Sequence, residues 1–138
     1  MDEVGADIRV RYVETDQMGV VHHSVYLHWM EVGRTEYLRR KGLSYAQLEE
    51  RGIRMPLIEV KAEYLSPARY DDEITVRTTL KEATFISLMF CYEIVRKRDG
   101  KLLTKGMTKH IAADGNNKPK RVSKEIFCLI GGNIAKQS

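Results

Sequence analysis

The chain has 138 residues, 43% hydrophobic and 30% charged, the balance of an ordinary globular domain and too apolar for widespread disorder. Its 23 basic and 19 acidic side chains leave a formal charge of +4, and its best basic cluster, Lys118, Lys120, Arg121 and Lys124, lacks the interleaved aromatics of a nucleic-acid-binding surface. No apolar run reaches the ~20 residues that cross a bilayer, and the opening MDEVGAD is acidic where a secretory signal is basic, so no membrane span and a cytoplasmic location are expected.

Along the chain, Ile8, Val10 and Tyr12 alternate with Arg9 and Arg11, which predicts a strand over 8–13 behind a flexible end at 1–6. A polar segment from Glu14 to Gly19 interrupts it. Tyr26, Met30, Gly33 and Tyr37 then recur at helical spacing, widened by Leu27 and Leu38, and predict one long helix over 24–40. Ser24 is its expected N-cap, Gly42 its stop, and Glu36 and Arg40 a pair one turn apart. Gly33 costs up to ~1 kcal/mol against alanine in a helix, which implies a close helix–sheet approach there.

A short helix follows over 45–50. Alternation predicts strands at 58–64, with one wetter face, and at 74–80, then a turn at 81–84. The strand at 85–96 is apolar on both faces. A hairpin turn centred on Asp99-Gly100 leads to a strand over 102–113, and 114–119 is a loop. Ser123 suits the cap of a short helix to 129, although a strand fits nearly as well, and 133–138 is expected to fray.

Residues 1–138 thus form a single α+β domain, one long helix against about five antiparallel strands. One helix cannot cover both faces of such a sheet, so a partner subunit is expected on the bare face or along an edge strand, giving a dimer or tetramer. Cys91 and Cys128 each sit in an apolar run and are expected to be buried free thiols in a reducing compartment.

The densest set of reactive side chains joins the first strand to the long helix: Asp16, Gly19, His22, His23 and Tyr26. Taken alone, Asp16 is equally a turn or cap residue, and the two histidines are equally structural. Acid, glycine and histidines nevertheless converge at a helix start, where unpaired amides favour developing negative charge or bind phosphate. A carboxylate that activates water or attacks a carbonyl, beside an amide that holds the oxyanion, suits thioester hydrolysis. No metal-ligand set, serine-hydrolase elbow or nucleotide-binding glycine motif is present, so neither a metal nor a resident cofactor is expected.

The run YVETDQMGVVHHSVYLHWMEVGRTEYLR, residues 12–39, resembles the 4-hydroxybenzoyl-CoA thioesterase family, in particular its broad bacterial acyl-CoA thioesterase branch. The resemblance implies a hotdog fold, a curved antiparallel sheet of about five strands wrapped around the long helix, with active sites between two chains. It implies hydrolysis of acyl-CoA to free acid and coenzyme A. Asp16 then matches the catalytic carboxylate, as general base or nucleophile, and Gly19 the residue permitting the tight loop. His23 matches the oxyanion-binding backbone amide and Tyr26 the aromatic that supports the loop. Val25 stands where many relatives have asparagine, so any hydrogen bond of that amide is lost and an apolar acyl pocket is a candidate role. Two alternatives stay open: an acyl-carrier-protein thioesterase that docks an acidic carrier on Lys118 to Lys124, and a non-catalytic acyl-CoA-binding oligomer. The resemblance locates no residues that grip the coenzyme.

Overall fold

The computed structural model describes residues 3–132. It contains β1 (Glu3–Arg9), α1 (Val25–Arg40), α2 (Tyr45–Glu50), β2 (Leu57–Tyr64), β3 (Glu73–Ala83), β4 (Ser87–Arg96), β5 (Leu102–Ile111) and α3 (Lys124–Ile130). The five strands form one antiparallel sheet in the order β1-β3-β4-β5-β2, which curves around α1 in the hotdog arrangement.

The core lies between α1 and the inner face of the sheet. Tyr26, Trp29, Met30, Tyr37 and Leu38 of α1 are buried against Ile74, Val76, Phe90, Tyr92 and Ile94. The helix is set on the sheet at Gly33, where an added Cβ would overlap Thr78 Oγ1 and lie 2.8 Å from Val76 Cγ1. At the far end of α1, Tyr37 packs edge-on against Phe90 and donates a 2.9 Å hydrogen bond to the Ile130 carbonyl, tying α3 to the core.

A buried polar chain crosses this core. Tyr92 and Thr108 share a 2.6 Å hydroxyl contact, His110 Nε2 lies 3.0 Å from the same Thr108 oxygen, and His110 Nδ1 lies 3.2 Å from the Met55 carbonyl. Burial, and then the nearby Arg34 charge, lower the His110 pKa to about 4.

The N-terminal boundaries differ from expectation. The first strand is Glu3–Arg9 rather than 8–13, and residues 3–6 pair with β3, Glu3 opposite Thr79 and Ala6 opposite Val76. They are therefore no loose end. Tyr12–Glu14 forms a single 3₁₀ turn, because the Glu14 carboxylate accepts the Arg11 amide at 2.7 Å and bends the chain away from the sheet. The frayed end expected at 133–138 lies outside the described residues.

Ser24 precedes α1 but does not cap it. Its backbone is already helical, and its hydroxyl lies 2.8 Å from His22 Nδ1. Glu36 pairs with Arg39 at 3.1 Å rather than with Arg40. β3 runs through the expected turn to Ala83, with an irregularity between Leu80 and Glu82, and the chain reverses at Thr84–Ser87 instead. Exposed Lys81 and Glu82 on a strand margin read like turn residues. Ser123 does cap α3, accepting the Ile126 amide at 3.2 Å.

Burial also departs in places. On the second face of β4 Val95 is buried, Met89 and Cys91 are half-buried, and Glu93 is exposed. The edge strand β2 has no buried residue on either face, with Leu57, Ile58 and Val60 all exposed. Cys128 is a free, exposed thiol, because α3 turns Ile126, Phe127 and Ile130 inward and leaves position 128 outside.

Candidate active site

The site is built on the segment between the 3₁₀ turn and α1. Short bridges Thr15–Val21 and Val20–Arg69 close residues 15–21 into a narrow loop. Asp16 shapes it from inside: its N–H donates to the Val20 carbonyl at 2.8 Å, and its Oδ1 accepts the Met18 and Val20 amides at 2.8 and 3.3 Å. Gly19 sits at φ +78°, a conformation that strains any residue with a side chain. The Asp16 side chain is exposed, and its Oδ2 accepts no hydrogen bond from the described residues. One carboxylate oxygen thus holds the loop, and the other is open to a proton or an electrophile.

The chain then passes through His22 and His23 into α1. The His22 amide donates to the Glu14 carbonyl at 2.9 Å, and the His22 carbonyl accepts the Val25 amide at 3.0 Å. The Ser24 amide donates to His22 Nδ1 at 3.2 Å, and the Ser24 carbonyl accepts the Leu27 amide at 3.2 Å. The His23 carbonyl accepts the Tyr64 hydroxyl at 2.9 Å. Among the described residues, the His23 N–H is the one polar main-chain group of 22–24 with no hydrogen-bond partner. The His22 and His23 rings lie on each other, their centroids 4.1 Å apart.

A cleft of about 260 Å³ opens beside this helix start, lined by Val21, His23, Tyr26, Tyr64, Leu65 and Pro67. Asp16 is not in its lining; the loop it organises delivers Val21 there. Tyr26 is buried, and its oxygen accepts the Ala68 amide at 3.0 Å, holding the segment after β2 against α1. Burial raises the Tyr26 pKa above the ordinary tyrosine value, so the phenol stays protonated. Val25 is half-buried against the core and takes no part in the cleft lining.

The structure therefore brings His23 and Tyr26 together at one cleft, with Asp16, Gly19 and His22 in the loop beside it. It also adds residues that the sequence did not mark. Tyr64 comes from the end of β2 and packs edge-on against Tyr26, centroids 5.2 Å apart. Trp29 also packs edge-on against Tyr26, centroids 4.9 Å apart, and its indole N–H donates to the buried Glu14 carboxylate at 3.2 Å. The only hint at Tyr64 is an aromatic residue at a strand end two positions before Ser66-Pro67.

Among the described residues, no group of three His, Cys, Asp or Glu side chains is placed to hold a metal. A second cleft, of about 390 Å³, lies between α2 and α3 and is lined by Arg51, Ile53, Lys120, Arg121, Val122 and Ile126. Its basic rim and apolar floor suit an anionic partner. No helix of the described residues is long and apolar enough to cross a membrane.

A carboxylate with one free oxygen, in the loop that leads to an unpaired amide at a helix start, offers the two kinds of group acyl transfer uses, a base or nucleophile and a donor for an oxyanion. The model of the "Thioesterase-like superfamily" matches residues 10–127. The chain belongs to this superfamily. It is 34% identical over 123 residues to the acyl-CoA thioesterase YbgC of Haemophilus influenzae, covering 86% of this chain and 88% of that one. A crystal structure of the protein TT1821 from Thermus thermophilus superposes with a TM-score of 0.86 at 40% identity, covering 91% of this chain and 95% of that one. The DHNA-CoA thioesterase of Staphylococcus aureus superposes with a TM-score of 0.89 at 29% identity, covering 100% and 97%. The superfamily chain is a hotdog-fold thioester hydrolase, as its sequence resemblance implied.

Proposed function

We propose that this chain hydrolyses acyl-coenzyme A thioesters to the free acid and coenzyme A. The observation that carries the reading is the unpaired N–H of His23, a residue that lines the cleft, one loop away from the free oxygen of Asp16. The acyl carbonyl oxygen accepts this N–H. Asp16 then takes the proton of a water that bonds to the carbonyl carbon, or its carboxylate adds to that carbon and water cleaves the anhydride afterwards. The C–S bond breaks, and coenzyme A leaves as the thiolate and takes up a proton. The donor counts most when charge has built on the oxygen, so it lowers the barrier more than it tightens binding.

The working form on this reading is a dimer or larger assembly. β2 is an edge strand whose outer side carries unpaired main-chain groups, and it ends at Tyr64 in the cleft. A two-fold partner that continues the sheet along β2 covers Leu57, Ile58 and Val60 and brings a second chain to each site. The basic cleft between α2 and α3 favours a second reading of the substrate, an acyl group carried on an acidic carrier protein rather than on free coenzyme A.

The test is a panel of short, medium, long and aromatic acyl-CoA substrates, run with wild-type and Asp16→Asn protein. Removing the base or nucleophile is expected to cost at least ~100-fold in kcat, with the sedimentation coefficient unchanged. Full turnover by an intact Asp16→Asn assembly overturns the assignment.

A further inference from the structure

We infer that Tyr64 is a positioning residue of the reaction, whose hydroxyl aims the His23 N–H into the cleft; this rests on the thioesterase reading of the site. Two anchors grip the peptide that carries this N–H. On its near side, the His22 amide is fixed to the Glu14 carbonyl at 2.9 Å. On its far side, the His23 carbonyl is fixed by the Tyr64 hydroxyl at 2.9 Å. With both neighbouring peptide planes held, the dihedral angles on either side of the His22–His23 peptide have little freedom, and the N–H direction is set. The His22 carbonyl, on the same peptide as the His23 N–H, accepts the Val25 amide at 3.0 Å. That bond polarises the peptide and makes its N–H the stronger donor.

The Tyr64 anchor differs in kind from the others. Glu14, His22 and Val25 all belong to the segment running into α1, whereas Tyr64 lies 41 residues away in sequence, at the end of the edge strand. It is kept there by its edge-on packing on Tyr26, which is in turn braced by Trp29 and by the Ala68 amide. The phenol oxygen has one proton and spends it on the His23 carbonyl, so it cannot also donate to a substrate oxygen. Its contribution to the oxyanion therefore passes through the His23 backbone.

Tyr64→Phe removes that hydroxyl and keeps the ring contact with Tyr26. A donor released from its aim costs rate in the transition state, so kcat is expected to fall about tenfold with KM within about twofold. The structural readout uses protein labelled with ¹⁵N only at histidine, which carries four such residues. In Tyr64→Phe the His23 amide resonance is expected to shift and its hydrogen exchange to quicken, while those of His28 and His110 stay in place. An unmoved His23 amide, an unchanged kcat, or equal displacement of all four resonances overturns the inference. If the wild-type protein cleaves no thioester in the panel, the proposed function falls, and the His23 amide alone still decides whether Tyr64 positions it.

Discussion

The indole N–H of Trp29 reaches the buried carboxylate of Glu14 at 3.2 Å, and the same carboxylate accepts the Arg11 amide at 2.7 Å, so one acid pins both the turn that follows β1 and the first turns of α1. Glu14→Ala leaves two donors without their acceptor. Stranding buried polar groups costs ~1–3 kcal/mol, and a loss of that size in urea-unfolding free energy is expected. Glu14→Gln keeps an acceptor oxygen and is expected to lose less. A Glu14→Ala protein as stable as wild type contradicts the assigned role.

Gly33→Ala sets two effects against each other. Alanine gains up to ~1 kcal/mol of helix propensity, but its Cβ has no room against Thr78 and Val76 on β3. Overpacking of a tight core contact costs ~1–3 kcal/mol, and the obstacles are the γ atoms of two buried β-branched side chains, which are stiff at χ1. Net destabilisation is expected by equilibrium denaturation, and a stabilised variant refutes the close approach.

His110 makes stability depend on mildly acid pH. Its folded pKa is lowered to about 4 from 6.5, first by burial and then by Arg34. Between those two values the unfolded chain binds the proton and the folded chain does not. The contribution is therefore fully present above pH 6.5, shrinks as the pH falls towards 4, and is gone below that. Its size is roughly 3 kcal/mol. Thermal melts of wild type are expected to fall over this window, and those of His110→Gln to fall less. Parallel curves for the two proteins reject the attribution.

The exposed edge of β2 gives a fourth test. Val60→Lys places a charge in the middle of that strand, where it opposes pairing with a second copy. Sedimentation is expected to show at least tenfold weaker association, with activity lost in step on dilution. A variant that associates and turns over as wild type does excludes β2 as the meeting edge.

Elements set by local periodicity were legible in the sequence. Tyr26, Met30, Gly33 and Tyr37 marked α1 to within a residue, and Gly33 announced a close approach to the sheet, which the structure places at β3. Strands were found where apolar and polar residues alternate clearly, as in β3 and the exposed β2, and where the sequence runs apolar, as in β4. Features that depend on partners distant in sequence were not legible. Residues 3–6 carry little apolar signal, and their pairing is fixed by β3, with Glu3 opposite Thr79 and Ala6 opposite Val76. The motif around Asp16 and His23 was visible because it is contiguous. Tyr64 and Glu14 were not, since Tyr64 acts through a hydrogen bond 41 residues away and Glu14 through a buried bond to the Trp29 indole 15 residues away, and no spacing rule encodes either.

The place of Tyr64 in the chain has a consequence for biosynthesis. Among the described residues, β2 is hydrogen-bonded within the sheet only to β5, so residue 64 has no fixed berth until Leu102–Ile111 has been made. A nascent polypeptide that has emerged only as far as β4 already contains Asp16, His23 and Tyr26, yet lacks the strand that seats the last anchor. The His23 segment therefore gains its last anchor late in translation, when most of the sheet is already in place.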